Sequence, residues 1–104
     1  MTISAHELQQ ELARTEATMI QVVRCAGCGP DPEFDRRLDR HARSLRAMLD
    51  GDGLVIAMDT IEAARRAMDA ADPAAPLMML AMARENLAAV VRRQASRATS
   101  DRAA

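Results

Sequence analysis

Apolar residues return at spacings of three and four through four successive segments, and glycine or proline closes each segment before the next begins. That period belongs to a helix buried along one face, whereas a half-buried strand would alternate at every second residue. The segments use nearly all of the 104 positions, so no stretch remains from which a sheet could be built. Ser4 followed by Glu7 has the form of a capping box, in which hydroxyl and carboxylate each satisfy an unpaired amide, and it sets the first helix near Ala5. Leu8, Leu12, Thr15, Met19, Val22 and Ala26 form its stripe until Gly27, Gly29 and Pro30 end it. Asp31 before Pro32 supplies an N-cap and a first-turn proline for a second helix, whose stripe of Phe34, Leu38, His41, Leu45 and Met48 runs up to Gly51. Gly51-Asp52-Gly53 reads as a turn. Beyond it Ala57, Ile61, Ala64, Met68 and Ala71 line a third helix that must stop near Asp72, because Pro73 and Pro76 follow. Leu80, Ala83, Leu87, Val90 and Val91 make the core face of a fourth, expected to fray after Gln94. Short connections between such helices favour antiparallel neighbours. The expected fold is all-α: an antiparallel up-down-up-down four-helix bundle over residues 1–94, followed by a disordered C-terminal tail over 95–104.

Composition narrows what such a bundle can do. The core must be assembled from alanine and flexible methionine, because the chain holds eight Met, one Phe (Phe34) and neither Trp nor Tyr. Its formal charge is −1 and every one of its 14 cations is arginine, so no global field attracts nucleic acid or anionic lipid. The start of the chain carries Glu7 and Glu11 where a targeting peptide would be basic, and the longest apolar run, Leu77 to Ala83, is too short to span a bilayer. These features predict a cytoplasmic protein with reduced cysteines and no nucleic-acid or membrane partner.

Cys25-Ala26-Gly27-Cys28 is the motif that could carry chemistry directly. Thioredoxin-type pairs stand at a helix N-terminus, whereas this pair stands at a helix C-terminus, where the dipole opposes a thiolate. As a metal site the pair offers two of the four ligands that a structural zinc requires. No cofactor is expected on this reading. Zinc would need the pair from two subunits, or Asp31, Glu33 or Asp35 from the neighbouring turn. His6 lies at the far end of the first helix, and His41 on the seam of the second predicts a neutral, hydrogen-bonded core histidine. The Glu-x-x-His pattern of di-iron bundles is absent. Asp39 with Arg43 and Glu62 with Arg66 have the spacing of surface ion pairs.

Two surfaces remain. Rotation by 100° per residue puts Ile20, Val55, Ile56, Met78 and Met82 off the core stripes, and a second face centred on Met78 and Met82, with Ala81 and Ala89 beside them, suits close packing against another helix or another copy of the chain. Arg36, Arg40 and Arg43, with Arg46 alongside, stand opposite Phe34 and Leu38, either as a solvated face balanced by Asp35 and Asp39 or as an anchor for an acidic or phosphorylated surface.

The stretch Leu38-Asp39-Arg40-His41-Ala42-Arg43-Ser44-Leu45-Arg46-Ala47, with Gly53 further on, resembles the signature helix of histidine phosphotransfer domains, which are four-helix bundles of about this size. Ala42, Leu45, Arg46, Ala47 and Gly53 match that family's columns, and Arg43 stands in the phosphoacceptor column. The resemblance implies a degenerate module that docks a receiver domain or a kinase without relaying phosphate. A shifted register makes His41 the acceptor and aligns Gly51, but it puts Leu45 at a small-residue column and moves a core residue into that role. The sequence thus predicts a non-enzymatic helical interaction module, such as a regulator, adaptor or chaperone. Its partner is another protein or a second copy in a homodimer. A phosphotransfer-like module and a thiol or zinc sensor at Cys25 and Cys28 are the alternatives.

Overall fold

The computed structural model describes residues 4–103, with side chains described through Arg97. Four helices follow one another, α1 (Ala5–Cys25), α2 (Pro32–Met48), α3 (Gly51–Asp69) and α4 (Ala74–Ala103), and no strand occurs among the described residues. The caps that start α1 and α2 are those their sequences predict. Ser4 Oγ accepts from the Glu7 amide at 3.1 Å while Glu7 Oε2 accepts from the Ser4 amide at 3.3 Å. Asp31 Oδ1 accepts from the Glu33 amide at 2.8 Å, with Pro32 at the first helical position.

Three boundaries differ from expectation. Gly51-Asp52-Gly53 is the first turn of α3 rather than a connecting turn, and only Leu49 and Asp50 separate α2 from α3. Gly51, at φ 53°, swings the chain from Asp50 into the helix. Gly53 answers a different need, since a Cβ there would lie 3.0 Å from Val90 Cγ1 on α4. Ala71 is exposed past the end of α3 instead of lining it, because the helix stops at Asp69 ahead of Pro73. Helix α4 opens with Asp72 Oδ1 accepting from the Ala74 amide at 3.2 Å and tolerates Pro76 in its first turn, where the missing amide has no helical partner. It continues past Gln94 through the segment expected to be a disordered tail, because Ala95, one turn beyond Val91, is buried on the same inner face. The rest of that segment's side chains, from residue 98 on, and residue 104 lie outside the described residues.

Paired residues run in opposite order along neighbouring helices. Gln21 meets Arg37 and Thr18 meets His41 between α1 and α2; Asp39 meets Arg65 and Arg46 meets Met58 between α2 and α3. Gly53 meets Val90 and Thr60 meets Ala83 between α3 and α4, while Glu16 meets Arg84 between α1 and α4. The backbones of α1 and α3 also approach closely across the bundle, whereas those of α2 and α4 do not. The cross-section is therefore a rhombus with α2 and α4 at its far corners.

Gly53, Ala57, Thr60, Ala64 and Ala67 recur at spacings of four and three, giving α3 a seam of small residues. Ala57, Thr60, Ala64 and Ala67 are buried on it. Thr60 Oγ1 lies 2.9 Å from Ile56 O and 3.3 Å from Ala83 O, so its hydroxyl stays paired at the contact with α4. Around the seam one cluster gathers Met19, Val22, Leu38, Ile61, Met68 and Leu80, and another gathers Leu8, Leu45, Leu49, Leu87, Val90 and Val91.

The α1–α2 connection is fastened to the end of α3. Gly27 and Gly29 donate their amides to Ala67 O and Met68 O, each at 3.0 Å, satisfying carbonyls of the last turn that have no helical partner. Gly27 holds φ 81°, a conformation that costs other residues about 1–2 kcal/mol, and its Cβ position faces Ala70 O at 3.4 Å and the Pro73 ring at 3.6 Å without overlap. Gly27→Ala is accordingly expected to lower the unfolding free energy by about 1–2 kcal/mol in urea titration, and a neutral result would mean that the loop does not hold this conformation in solution.

Candidate functional site

Helix α1 turns toward α2 a row of polar residues that its stripe of apolar ones does not reveal. Glu11, Thr18 and His41 are only 3%, 6% and 8% exposed. His41 Nδ1 lies 3.0 Å from Glu11 Oε1, and His41 Nε2 lies 2.8 Å from Thr18 Oγ1. Thr15 Oγ1 donates to the same Glu11 oxygen at 3.4 Å, and Arg14 reaches the other Glu11 oxygen at 3.5 Å from the rim. With Nδ1–H directed at the carboxylate, Nε2 accepts from the Thr18 hydroxyl at the shorter of that hydroxyl's two contacts, the other being Arg14 O at 3.4 Å. Among the described residues no buried side-chain nitrogen or oxygen lacks a partner. His41 is thus a hydrogen-bonded core histidine. Glu11 and Thr18 had no local signal, because what permits their burial is an imidazole thirty residues away for Glu11 and twenty-three for Thr18.

Carboxylate, imidazole and hydroxyl stand here in the order of an acyl-transfer triad. A nucleophile must reach its substrate, and both Thr18 and His41 are buried between the helices. The network joins α1 to α2. Glu16 and Arg84 do the same for α1 and α4, with Arg84 Nη2 and Nε at 2.6 and 3.0 Å from Glu16 Oε2.

The outer face of α4 is apolar and open over its first turns. Met78, Met79 and Met82 are 69%, 53% and 63% exposed, and Ile20 and Val23 of α1 are exposed as well. Glu16 opposite Arg84 and Gly27 beside Pro73 fix the antiparallel register, so Ile20 and Val23 stand level with the first turns of α4 at the same end of the bundle. On the other flank Met79 and Met82 join Ile56 and Ala83 in a groove of about 180 Å³ between α3 and α4, with Asp59 and Asn86 at its edge. Val55 is exposed, Ile56 is half buried, Ala81 is exposed and Ala89 is half buried. Met79 and Val23 belong to the open face although periodicity singled out neither.

Arg36, Arg40, Arg43 and Arg46 are all exposed on α2. Their expected neutralisation does not occur. Arg65 of α3 pairs with Asp39 and stands 3.9 Å from Asp35, so Asp39 does not pair with Arg43 as its spacing predicts. Among the described residues Arg36, Arg40 and Arg43 have no ion pair, and Arg46 lies 3.6 Å from Met58 Sδ. Arg43 and Arg46 line a groove between α2 and α3 with Ala42, Met58 and Ile61 as its apolar floor. The Glu62–Arg66 pair forms as expected, at 3.3 Å. In the phosphotransfer-like alignment, Arg43 is the exposed residue and His41 the buried one.

Cys25 is half buried at the end of α1, and Cys28 is exposed three residues on; both are free thiols. No group of three or more His, Cys, Asp or Glu side chains is placed to hold a metal ion among the described residues. Asp31, Glu33 and Asp35 are engaged instead with the start of α2, with Arg37 and with Arg65.

Taken over the helix rather than over its uninterrupted apolar run, 74–97 is long and apolar enough by length and composition to cross a membrane, and 22% of the window that passes is buried within the bundle. Its inner face is already packed on α1 and α3 through Leu80, Leu87, Val90 and Val91. No family model matches the chain, and no curated protein and no solved structure is significantly similar to it.

Thr18→Val removes the hydroxyl and leaves His41 Nε2 buried without a donor, an expected loss of about 1–3 kcal/mol in urea unfolding. Thr18→Ser keeps the donor and is expected to lose far less. Equal losses would show that packing of the methyl group, not the hydrogen bond, is what Thr18 contributes.

Proposed function

We propose that this chain is a small non-enzymatic helical interaction module, a regulator, adaptor or chaperone, that receives a helix of another protein on the outer face of α4. The observation that carries this reading is that the first turns of α4, through Ala83, are apolar on both sides while only their inner side is used by the fold. A helix apolar all round needs a second covering. Methionine suits the role because its unbranched, polarisable side chain adapts to partners of different shape. The groove beside Met79 and Met82, at about 180 Å³, is smaller than the roughly 300–1,000 Å³ of small-molecule pockets. It is of a size for side chains of a docked helix. Asp59 at its edge has no partner among the described residues, and it favours a partner that carries a cationic residue beside its apolar ones.

A second docking surface is supported by the arginines of α2. Because Asp35 and Asp39 are drawn to Arg65, Arg36, Arg40 and Arg43 keep their charge uncompensated, and the groove of Arg43 and Arg46 offers an acidic or phosphorylated surface a cationic edge over an apolar floor. The phosphotransfer-like reading, in which a receiver domain or kinase docks here, rests on this same face. The two surfaces are centred on different helices and share no lining residue, as an adaptor would require.

Photo-methionine incorporated in the producing cell tests the first surface. Cross-links from Met78, Met79 or Met82 to a different polypeptide are expected, and Met78→Glu with Met82→Glu should weaken that association at least about tenfold while unfolding free energy changes by less than about 0.5 kcal/mol. Cross-links confined to lipid, or to a second copy of the chain, would overturn the reading. Arg43→Glu and Arg46→Glu are expected to leave the α4 cross-links intact.

A further inference from the structure

The structure closes Cys25-Ala26-Gly27-Cys28 into a single β-turn. Ala26 has φ −55° and ψ 134°, Gly27 follows at φ 81°, and the Cys28 amide donates to Cys25 O at 3.1 Å. Those angles and that bond define a type II turn, with Cys25 at its first position and Cys28 at its fourth. Such a turn holds its outer Cα atoms within about 7 Å, and disulfides bridge Cα atoms about 4.4–6.8 Å apart. The backbone therefore holds the two Cα atoms within the range that a disulfide spans before any bond forms between the thiols.

The turn also belongs to the cap of another helix. Its Gly27 amide, with that of Gly29 next to it, occupies the terminal carbonyls of Ala67 and Met68 on α3. Cys25 packs against the core cluster of Met19, Val22 and Met68, whereas Cys28 is exposed. One thiol is thus open to a reagent and the other is half buried.

We propose that Cys25 and Cys28 are a redox modification site, forming a reversible intramolecular disulfide that staples the turn capping α3. The Cys28 thiolate attacks one sulfur of a low-molecular-weight disulfide such as oxidised glutathione, forming a mixed disulfide and releasing one glutathione thiolate. Cys25, its proton lost to water, then attacks Cys28 Sγ and expels the second glutathione thiolate. Two protein thiols are oxidised, and one glutathione disulfide is reduced to two glutathione molecules. The product restrains the α1–α2 connection and so slows opening of the α3 terminus.

Equilibration of the whole protein in glutathione redox buffers, followed by acid quench, alkylation and intact mass measurement, tests this. The expected species is a monomer lighter by two hydrogens that takes no alkyl label, in equilibrium with a doubly labelled reduced form. Amide exchange at Gly27 and Gly29 should slow by roughly tenfold on oxidation, as a chain-entropy restraint on so short a loop implies. Cys25→Ser should stop at the mixed disulfide on Cys28, and Cys28→Ser should remain largely reduced. Gly27→Ala, which disfavours the turn, should lower the ratio of disulfide to dithiol by about tenfold at a given buffer. Persistence of two alkylatable thiols across all buffers, disulfides between chains instead of within one, or a Gly27→Ala variant that oxidises as readily as the parent would each overturn the proposal.

Discussion

The narrowness of α3 governs the rest of the bundle. Where its seam presents Gly53, Ala57, Thr60, Ala64 and Ala67, only small side chains stand between α3 and its neighbours. Helix α4 closes in until Val90 occupies the space that a Cβ on Gly53 would need. Helix α1 reaches across as well, placing Met19 and Val22 in the cluster that holds Ala63, Ala64 and Ala67. A section drawn in along that diagonal is pushed out along the other. Helices α2 and α4 then stand at the corners, each with a broad outward face, and the exposed methionines and arginines follow from packing as much as from sequence.

Alanine and methionine fill such a core well but do not by themselves select one register, since neither has a shape that only one neighbour can match. Polar pairs supply the selection. Glu11, His41 and Thr18 satisfy one another only when α1 and α2 stand at one height, and a slip by one turn would leave a carboxylate and an imidazole buried without partners. Thr60 against Ala83 and Arg84 against Glu16 impose the same condition on α4 from its two sides. The few polar contacts therefore specify the arrangement that the many apolar contacts stabilise.

This division of labour explains what the sequence discloses. Helix starts are written in short range: Ser4 with Glu7 and Asp31 with Pro32 each act within one turn, and both are legible. The seam positions of His41, Leu45, Leu80 and Leu87 are legible for the same reason, through periodicity. Gly51-Asp52-Gly53 is misleading because glycine marks turns and close approaches alike, and only the presence of Val90 on another helix tells which applies. Glu11 carries no mark of burial, since its partner comes from α2. Asp39 is drawn from Arg43 to Arg65 by a helix pairing that spacing along one helix cannot express. At the candidate surfaces, chemistry is legible and occupancy is not: the arginines and methionines stand outward where rotation puts them, while the place of Met79 in a groove emerges only once α3 and α4 are neighbours.

The rhombic section has a thermodynamic corollary. Ligands held on α2 and on α4 would share no lining residue, because the grooves beside those helices draw on different residues of α3 in a body 51 × 23 × 20 Å in extent. Linkage between two occupancies needs an element that has two arrangements and touches both. Here α3 lines both grooves, with Met58 and Ile61 in one and Ile56 and Asp59 in the other, and its buried alanines hold it in one packed arrangement. A bundle built this way gives two bound molecules proximity without cooperativity, so that each saturates at its own concentration and the ternary assembly follows from the product of two independent occupancies.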